Sequence, residues 1–208
     1  MYQSLTRETL LPAVTSLCAQ DSLMNSLVEE FGPPPLWQRT QSLETLIHVV
    51  LEQKVSLASA KAVMLRVKKL APTLSPMEFL AVPESALREA GVSERKVSYC
   101  RSIAEAMVSG ELDLKALRRC SNDEVMQSLT RIRGIGPWTA GVYLLMAMRR
   151  SDAWASGDRA LVVSYAQCTG TKDIPSYPEL DDIAKRWAPY RGVAARVLWH
   201  AYLSRTAQ

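Results

Sequence analysis

The most specific chemistry in this sequence lies in "LTRIRGIGPWTAGVYLLMA" (129–147), where Gly134-Ile135-Gly136-Pro137 separates two apolar helical patterns. Glycine admits positive φ and the close approach of another backbone. Proline in a first helical turn loses nothing, because that N–H is unpaired in any case. The stretch therefore reads as a helix–hairpin–helix, with one helix ending near Leu129 and the next starting near Pro137. The second helix then presents unpaired backbone N–H groups and the positive end of its dipole, which is a phosphate site. A protein that grips a nucleic-acid backbone without reading sequence needs such a device. A tight αα-turn used only for packing is the competing reading. The pattern L-x-x-I-x-G-I-G-P-W-T-A is more restrictive than a bare pair of glycines. Metal chemistry is not indicated: Cys18, Cys100, Cys120 and Cys168 lie far apart without C-x-x-C spacing, and only two histidines accompany them.

The elements around the hairpin are helical almost throughout. "SLETLIHVVLEQKV" carries Leu43, Leu46, Ile47, Val50 and Leu51 at helical spacing behind Ser42 as N-cap. "SLASAKAVMLRVKKLA" follows Ser56. Pro72 and Pro76 interrupt the pattern, and two short helices end at Gly91. Ser93 begins a longer helix that stops at Gly110. Ser121 and Glu124 form a capping-box pair. Asp158 after Gly157 reads as the N-cap of "RALVVSYAQ". The closing pair is "LDDIAKRWA" and "YRGVAARVLWHAYL". No period-2 strand pattern appears, "GPPP" at 32–35 is a connector, and the predicted class is all-α.

The 208 residues suit one domain or two small lobes sharing a core, and 48% hydrophobic content suits a packed interior. No run of about 18 apolar residues is present, so no membrane span is expected. The first residues lack an apolar signal region, so the cysteines are expected to be reduced thiols of a cytosolic protein. The net charge of +4 permits a nucleic-acid partner without demanding one. Its placement is more telling. Arg131, Arg133, Arg149, Arg150 and Arg159 gather around the hairpin, whereas acids crowd "ELDD" and "VEE".

"RIRGIGPWTAGVYLLMAMRRSDAWASGD" resembles the helix–hairpin–helix, Gly/Pro-rich loop and aspartate signature of the HhH-GPD DNA glycosylases. Within that superfamily the chain is most similar to the 3-methyladenine DNA glycosylase II branch. "VLEQKVSLASA" matches that branch's I-L-x-Q-Q-x-S type segment. "AGVSERKVSYCRSIAEAMVSGELDLKAL" matches its G-h-S-x-x-K and G-x-L-D-L segments, and "WAPYRGVAARVLW" its W-x-P-[WY]-R-x-x-A helix. The resemblance spans roughly residues 20–203.

The resemblance implies that Asp158 is the catalytic aspartate. The chemistry suits a carboxylate: breaking an N-glycosidic bond leaves positive charge on the deoxyribose, which a fixed carboxylate stabilises while orienting a water. The damaged base must first be flipped from the duplex. Relatives that also cut the backbone carry a Schiff-base lysine where this chain has Trp138. An indole cannot form an imine, so a monofunctional enzyme is expected. The Trp138 ring could stack on a cationic alkylated base, or it could pack at the helix start. Val142, one turn later, stands where some relatives place an aromatic pocket residue.

Gly134, Ile135, Gly136, Thr139 and Arg133 are expected to hold DNA, and Gln53 and Lys54 to fill the gap left by the flipped nucleotide. Lys54 departs from the family's usual glutamine or apolar residue, and Arg159 and Ala160 stand beside Asp158 where the branch often has an apolar residue and glycine. The carbonyls of Thr130, Ile132 and Gly134 match those that hold Na+ or K+ in relatives, although no cofactor is required. With Cys168 alone in the C-terminal region, no iron–sulfur cluster is expected. Lys96 reads as a surface charge or DNA-backbone contact, and Trp154 and Trp199 as core residues. The implied architecture is two helical lobes, roughly 40–150 with the hairpin at 130–138, and 1–39 with 151–208, with the active site in the cleft between them. The compact form, without the additional N-terminal β-containing domain of some relatives, is expected.

The expected activity is release of alkylated purines, of 3-methyladenine or 7-methylguanine type, from double-stranded DNA in base excision repair. The expected enzyme is a monomer in the cytoplasm, nucleoid-associated in a bacterium or nuclear in a eukaryote. Two alternatives stand beside it: a glycosylase for another lesion or mismatch, and a non-catalytic helix–hairpin–helix DNA-binding protein.

Overall fold

The computed structural model describes residues 4–171 and 173–206. These form α-helices joined by short loops, and among them the only strand-like pairing is a bridge between Ser4 and Arg150. The chain divides into two compact units, one comprising Arg39–Tyr143 and the other the chain on either side, up to Gln38 and from Leu144 on.

The first segment of the flanking unit holds α1 (Arg7–Gln20) and α2 (Ser22–Phe31). Thr6 and Thr9 form a reciprocal capping box at the start of α1. Asp21 then ends α1 and caps α2, accepting from the Met24 N–H at 3.1 Å. Pro12 lies inside α1.

In the central unit, α3 (Leu43–Glu52) starts at Ser42 as expected, with the Ser42 hydroxyl accepting from Thr45 N–H. Nearly every residue of α3 is buried, which makes it the axis of this unit. It packs on α4 (Leu57–Leu70), which starts at Ser56 and buries only the stripe Ala60, Met64 and Val67. The short helices α5 (Pro76–Ala81) and α6 (Glu84–Glu89) lead to α7 (Glu94–Ser109). Ser93 occupies the N-cap position of α7, but its hydroxyl makes no capping bond, and Gly110 ends the helix in the left-handed region. After a 3-10 turn at Ala116–Arg119, α8 (Asn122–Thr130) opens on the expected Ser121–Glu124 capping box. The division between the units falls within α9 (Pro137–Met146).

The flanking unit continues with α10 (Arg159–Thr169), α11 (Tyr177–Ala184) and α12 (Arg191–Thr206). From Gly192 to Leu198 every residue of α12 is buried, so this helix is the axis of its unit, packed on α1, α2 and α10. Gly192 is required there, since a Cβ would lie 2.9 Å from the Ser151 carbonyl oxygen and nearer still to that of Arg150. Arg196 is fully buried and donates to the carbonyls of Trp37 at 2.9 Å and Leu145 at 2.5 Å. Burial, with Arg149 nearby, lowers its pKa to about 10. All four cysteines are free thiols, and burial pushes Cys100 up to about 12.

Candidate functional site

Between α8 and α9 the chain turns through residues 131–136. The Ile132 N–H donates to Leu129 O and the Ile135 N–H to Ile132 O, each at 3.1 Å. Ile132 and Ile135 are both 4% exposed and seat the hairpin in the core, while Arg131 and Arg133 point to solvent. Gly134 has φ +95, and a Cβ there would fall inside the Tyr99 side chain of α7. Gly136 differs: its φ is not in the left-handed region, and nothing lies within 4 Å of where its Cβ would be. Its carbonyl accepts from the Ala140 N–H at 3.0 Å, so α9 begins on a residue that has no side chain to cap its first turn. Trp138 is half-buried in that turn, and Val142, one turn later, is 5% exposed.

Two further residues bind to this hairpin. The Gln53 amide nitrogen donates to the Gly134 carbonyl and to Thr139 Oγ1, both at 3.0 Å. Gln53 is therefore tied into the hairpin, and Thr139, 1% exposed, turns its hydroxyl inward to receive it. Lys54 is the exposed residue of the pair, at φ +57. Lys96, expected as a surface charge or a DNA-backbone contact, is half-buried and bonded within the chain. Its Nζ donates to Leu51 O at 2.8 Å and Gln53 O at 2.9 Å, closing the C-terminal end of α3, and burial lowers its pKa. The preceding Glu52 is 8% exposed and receives both guanidinium nitrogens of Arg39, at 2.6 and 3.1 Å.

The carbonyls considered for a monovalent cation lie along the same turn. That of Ile132 accepts from Ile135 and that of Gly134 from Gln53. Each has a second lone pair, so both fit a cation ligand by donor chemistry. Thr130 is exposed, and its hydroxyl donates to Met126 O.

In the flanking unit Asp158 is the N-cap of α10. Its Oδ1 accepts from the Leu161 N–H at 3.0 Å and from the Trp199 indole N–H at 3.2 Å. Trp199, expected to pack rather than to touch substrate, is half-buried and spends its indole N–H on the candidate catalytic carboxylate. The Trp37 ring meets Trp199 edge-on at 6.5 Å between centroids. A half-buried indole needs a partner for its N–H, but no spacing rule links a tryptophan to an aspartate 41 residues away. Trp154 donates to Asp181 Oδ1 at 2.7 Å rather than to Asp158. The exposed Arg159 stands at the first position of α10.

Residues 47–189 match the HhH-GPD superfamily of base excision DNA repair proteins. The chain is 31% identical over 179 residues to DNA-3-methyladenine glycosylase 1 of Schizosaccharomyces pombe, covering 83% of this chain and 78% of that protein. The crystal structure of a DNA-3-methyladenine glycosidase from Bacillus halodurans superposes with a TM-score of 0.81 at 32% identity, covering 100% of this chain and 95% of the other. The S. pombe 3-methyladenine DNA glycosylase in complex with abasic DNA gives 0.82 at 28% identity, covering 90% and 95%. A fixed aspartate at a helix start and a glycine hairpin thus occur here in a chain that belongs to the HhH-GPD superfamily of base excision DNA repair proteins.

Proposed function

We propose that this chain is a monofunctional DNA glycosylase that hydrolyses the bond between an alkylated purine, of 3-methyladenine or 7-methylguanine type, and deoxyribose in double-stranded DNA. The observation that carries the proposal is the Asp158 carboxylate, oriented by the Leu161 N–H and the Trp199 indole N–H. The names of the related glycosylases support the same reading.

In the proposed reaction the flipped nucleotide presents its sugar to Asp158. The C1′–N bond breaks, and its electron pair leaves with the purine, whose ring charge is thereby neutralised. Positive charge develops on the sugar, where the carboxylate stabilises it. A water adds to C1′, and its proton passes to Asp158 and then to solvent. The product is an abasic site. Trp138, without an amine, forms no imine with it. The Trp138 indole stacks on the cationic base, with Val142 one turn further along α9.

The hairpin residues Gly134, Ile135 and Gly136, the Thr139 backbone and Arg133 hold phosphates. Gln53 and Lys54 carry the chain into the gap left by the flipped nucleotide. The carbonyls of Thr130, Ile132 and Gly134 would hold Na+ or K+, which supplies positive charge near the backbone. The enzyme acts as a monomer.

The test is incubation with duplexes bearing single defined lesions, followed by alkali to reveal abasic sites. Breaks are expected only after alkali, on alkylated purines. Breaks without alkali overturn the monofunctional reading. DNA binding with no base released from any lesion would favour the non-catalytic alternative.

A further inference from the structure

The loop that delivers Asp158 to α10 alternates along its length. Ala153 and Ala155 are buried at 2% and 1% exposure. Between and beside them, Asp152, Trp154, Ser156 and Asp158 each hold a polar partner through the side chain. The small apolar residues thus face the interior, while the polar side chains between them serve as anchors. The loop belongs to no helix or strand: a backbone turn, with the Asp158 N–H donating to Ala155 O at 3.2 Å, closes its last residues, and side-chain anchors hold the rest.

At its start, Asp152 is gripped by Arg191 Nε at 2.9 Å and Nη2 at 2.7 Å. At its end, Asp158 is held by α10 and Trp199. Between the ends a single side chain, Asp181 of α11, makes two of the anchors. Its Oδ1 accepts from Trp154 Nε1 at 2.7 Å and its Oδ2 from Ser156 Oγ at 2.5 Å. Asp181 and Asp158 line the same recess. Gly157 lies between the last Asp181 anchor and Asp158, at φ +83 with nothing within 4 Å of where its Cβ would be. It lies inside the turn closed by the Asp158 N–H to Ala155 O bond, and the side-chain contacts on either side hold that turn in place.

We infer that Asp181 is a positioning residue of the active site, setting the path of residues 154–156 so that Asp158 meets the sugar in register. This rests on the assignment of Asp158 under Proposed function. A displacement near 1 Å of a reacting group costs about 10²-fold in rate, which one unanchored loop can supply.

Asp181→Ala and Asp181→Asn distinguish position from charge. In Asp181→Asn the amide oxygen still accepts from Trp154, and the amide nitrogen donates to Ser156 Oγ, since a hydroxyl also accepts. The measurement is single-turnover base release at saturating enzyme, with DNA affinity and thermal midpoint determined alongside. Asp181→Ala is expected to lower the rate constant about 10- to 100-fold while DNA affinity stays within about twofold. Asp181→Asn is expected to recover the rate to within about threefold of the parent.

A parental rate in Asp181→Ala overturns the inference. Equal loss in both variants also overturns it, because the carboxylate charge rather than the loop path would then be responsible. If Asp181→Ala does not fold, the pair Trp154→Phe with Ser156→Ala removes the same two bonds from the loop side and is expected to show the same loss. A parental rate there likewise overturns the inference. Asp158→Asn, run in parallel, separates the two levels. Full activity in Asp158→Asn overturns the proposed function, whereas an inactive Asp158→Asn beside a fully active Asp181→Ala overturns only the positioning role.

Discussion

Replacing Gly134 by alanine would put a methyl group into the Tyr99 side chain and ask φ +95 of an L-residue. The backbone strain alone costs about 1–3 kcal/mol, and the clash adds to it. Chemical denaturation of Gly134→Ala should therefore show a loss of about 2 kcal/mol or more. Tyr99→Ala in the same chain should recover only a fraction of the clash, because the Tyr99 Cβ, which alanine keeps, itself lies 2.3 Å from the added carbon. Asp158 poses a different question, because it is both a helix cap and the proposed catalytic group. Asparagine caps as well as aspartate, so Asp158→Asn should keep its stability within about 0.5 kcal/mol. Asp158→Ala should lose about 1 kcal/mol. Both should lose base release by more than about 10²-fold. A stable Asp158→Asn variant with full activity would reduce Asp158 to a cap.

At the scale of elements, the end of α3 and the hairpin form one assembly. Gln53 joins the carbonyl of Gly134 to the hydroxyl of Thr139, and Lys96 closes the last carbonyls of α3 behind it. Lys96→Met removes both donors while keeping the length of the side chain. The carbonyls of buried Leu51 and half-buried Gln53 then lose these donors, at about 1–3 kcal/mol. Melting experiments should show that loss. On the proposed function, DNA affinity should fall with it, since Lys54 and the hairpin lose their common support. Helix caps were legible beforehand because a cap is decided within four residues, as at Ser42, Ser56 and Ser121. The Lys96 contact was not, because its acceptors lie 45 and 43 residues away.

Over the whole molecule, acid should weaken the fold through His48. Its burial and the neighbouring Arg39 hold its pKa below 6.5, outweighing the opposing Glu52 and Glu44. Between the folded pKa and the unfolded value the unfolded chain binds more protons, so stability rises with pH across that window. The His48 contribution is thus complete above pH 6.5 and lost as pH falls through the folded pKa. His48→Gln should flatten the stability profile in that interval, and an unchanged slope would assign the acid sensitivity elsewhere. On the proposed function, DNA affinity should fall steeply with salt, since the expected contacts are mostly to phosphates. Exchanging Arg133 for alanine should reduce that salt slope by about one.

Local patterning by itself determined the helical class, the caps and the hairpin, because each depends on neighbours within a turn or two of chain. It also placed Asp158 at the start of a helix and excluded imine chemistry at Trp138, since residue type alone decides that. Tertiary structure decided which side chains serve those groups. Trp199 meets Asp158, Asp181 holds the loop before it, Lys96 caps α3, and Tyr99 requires the glycine at 134. The reason is physical. Half-buried N–H and ammonium groups must find acceptors, but which acceptor they find depends on helix packing, and no one-dimensional spacing encodes that.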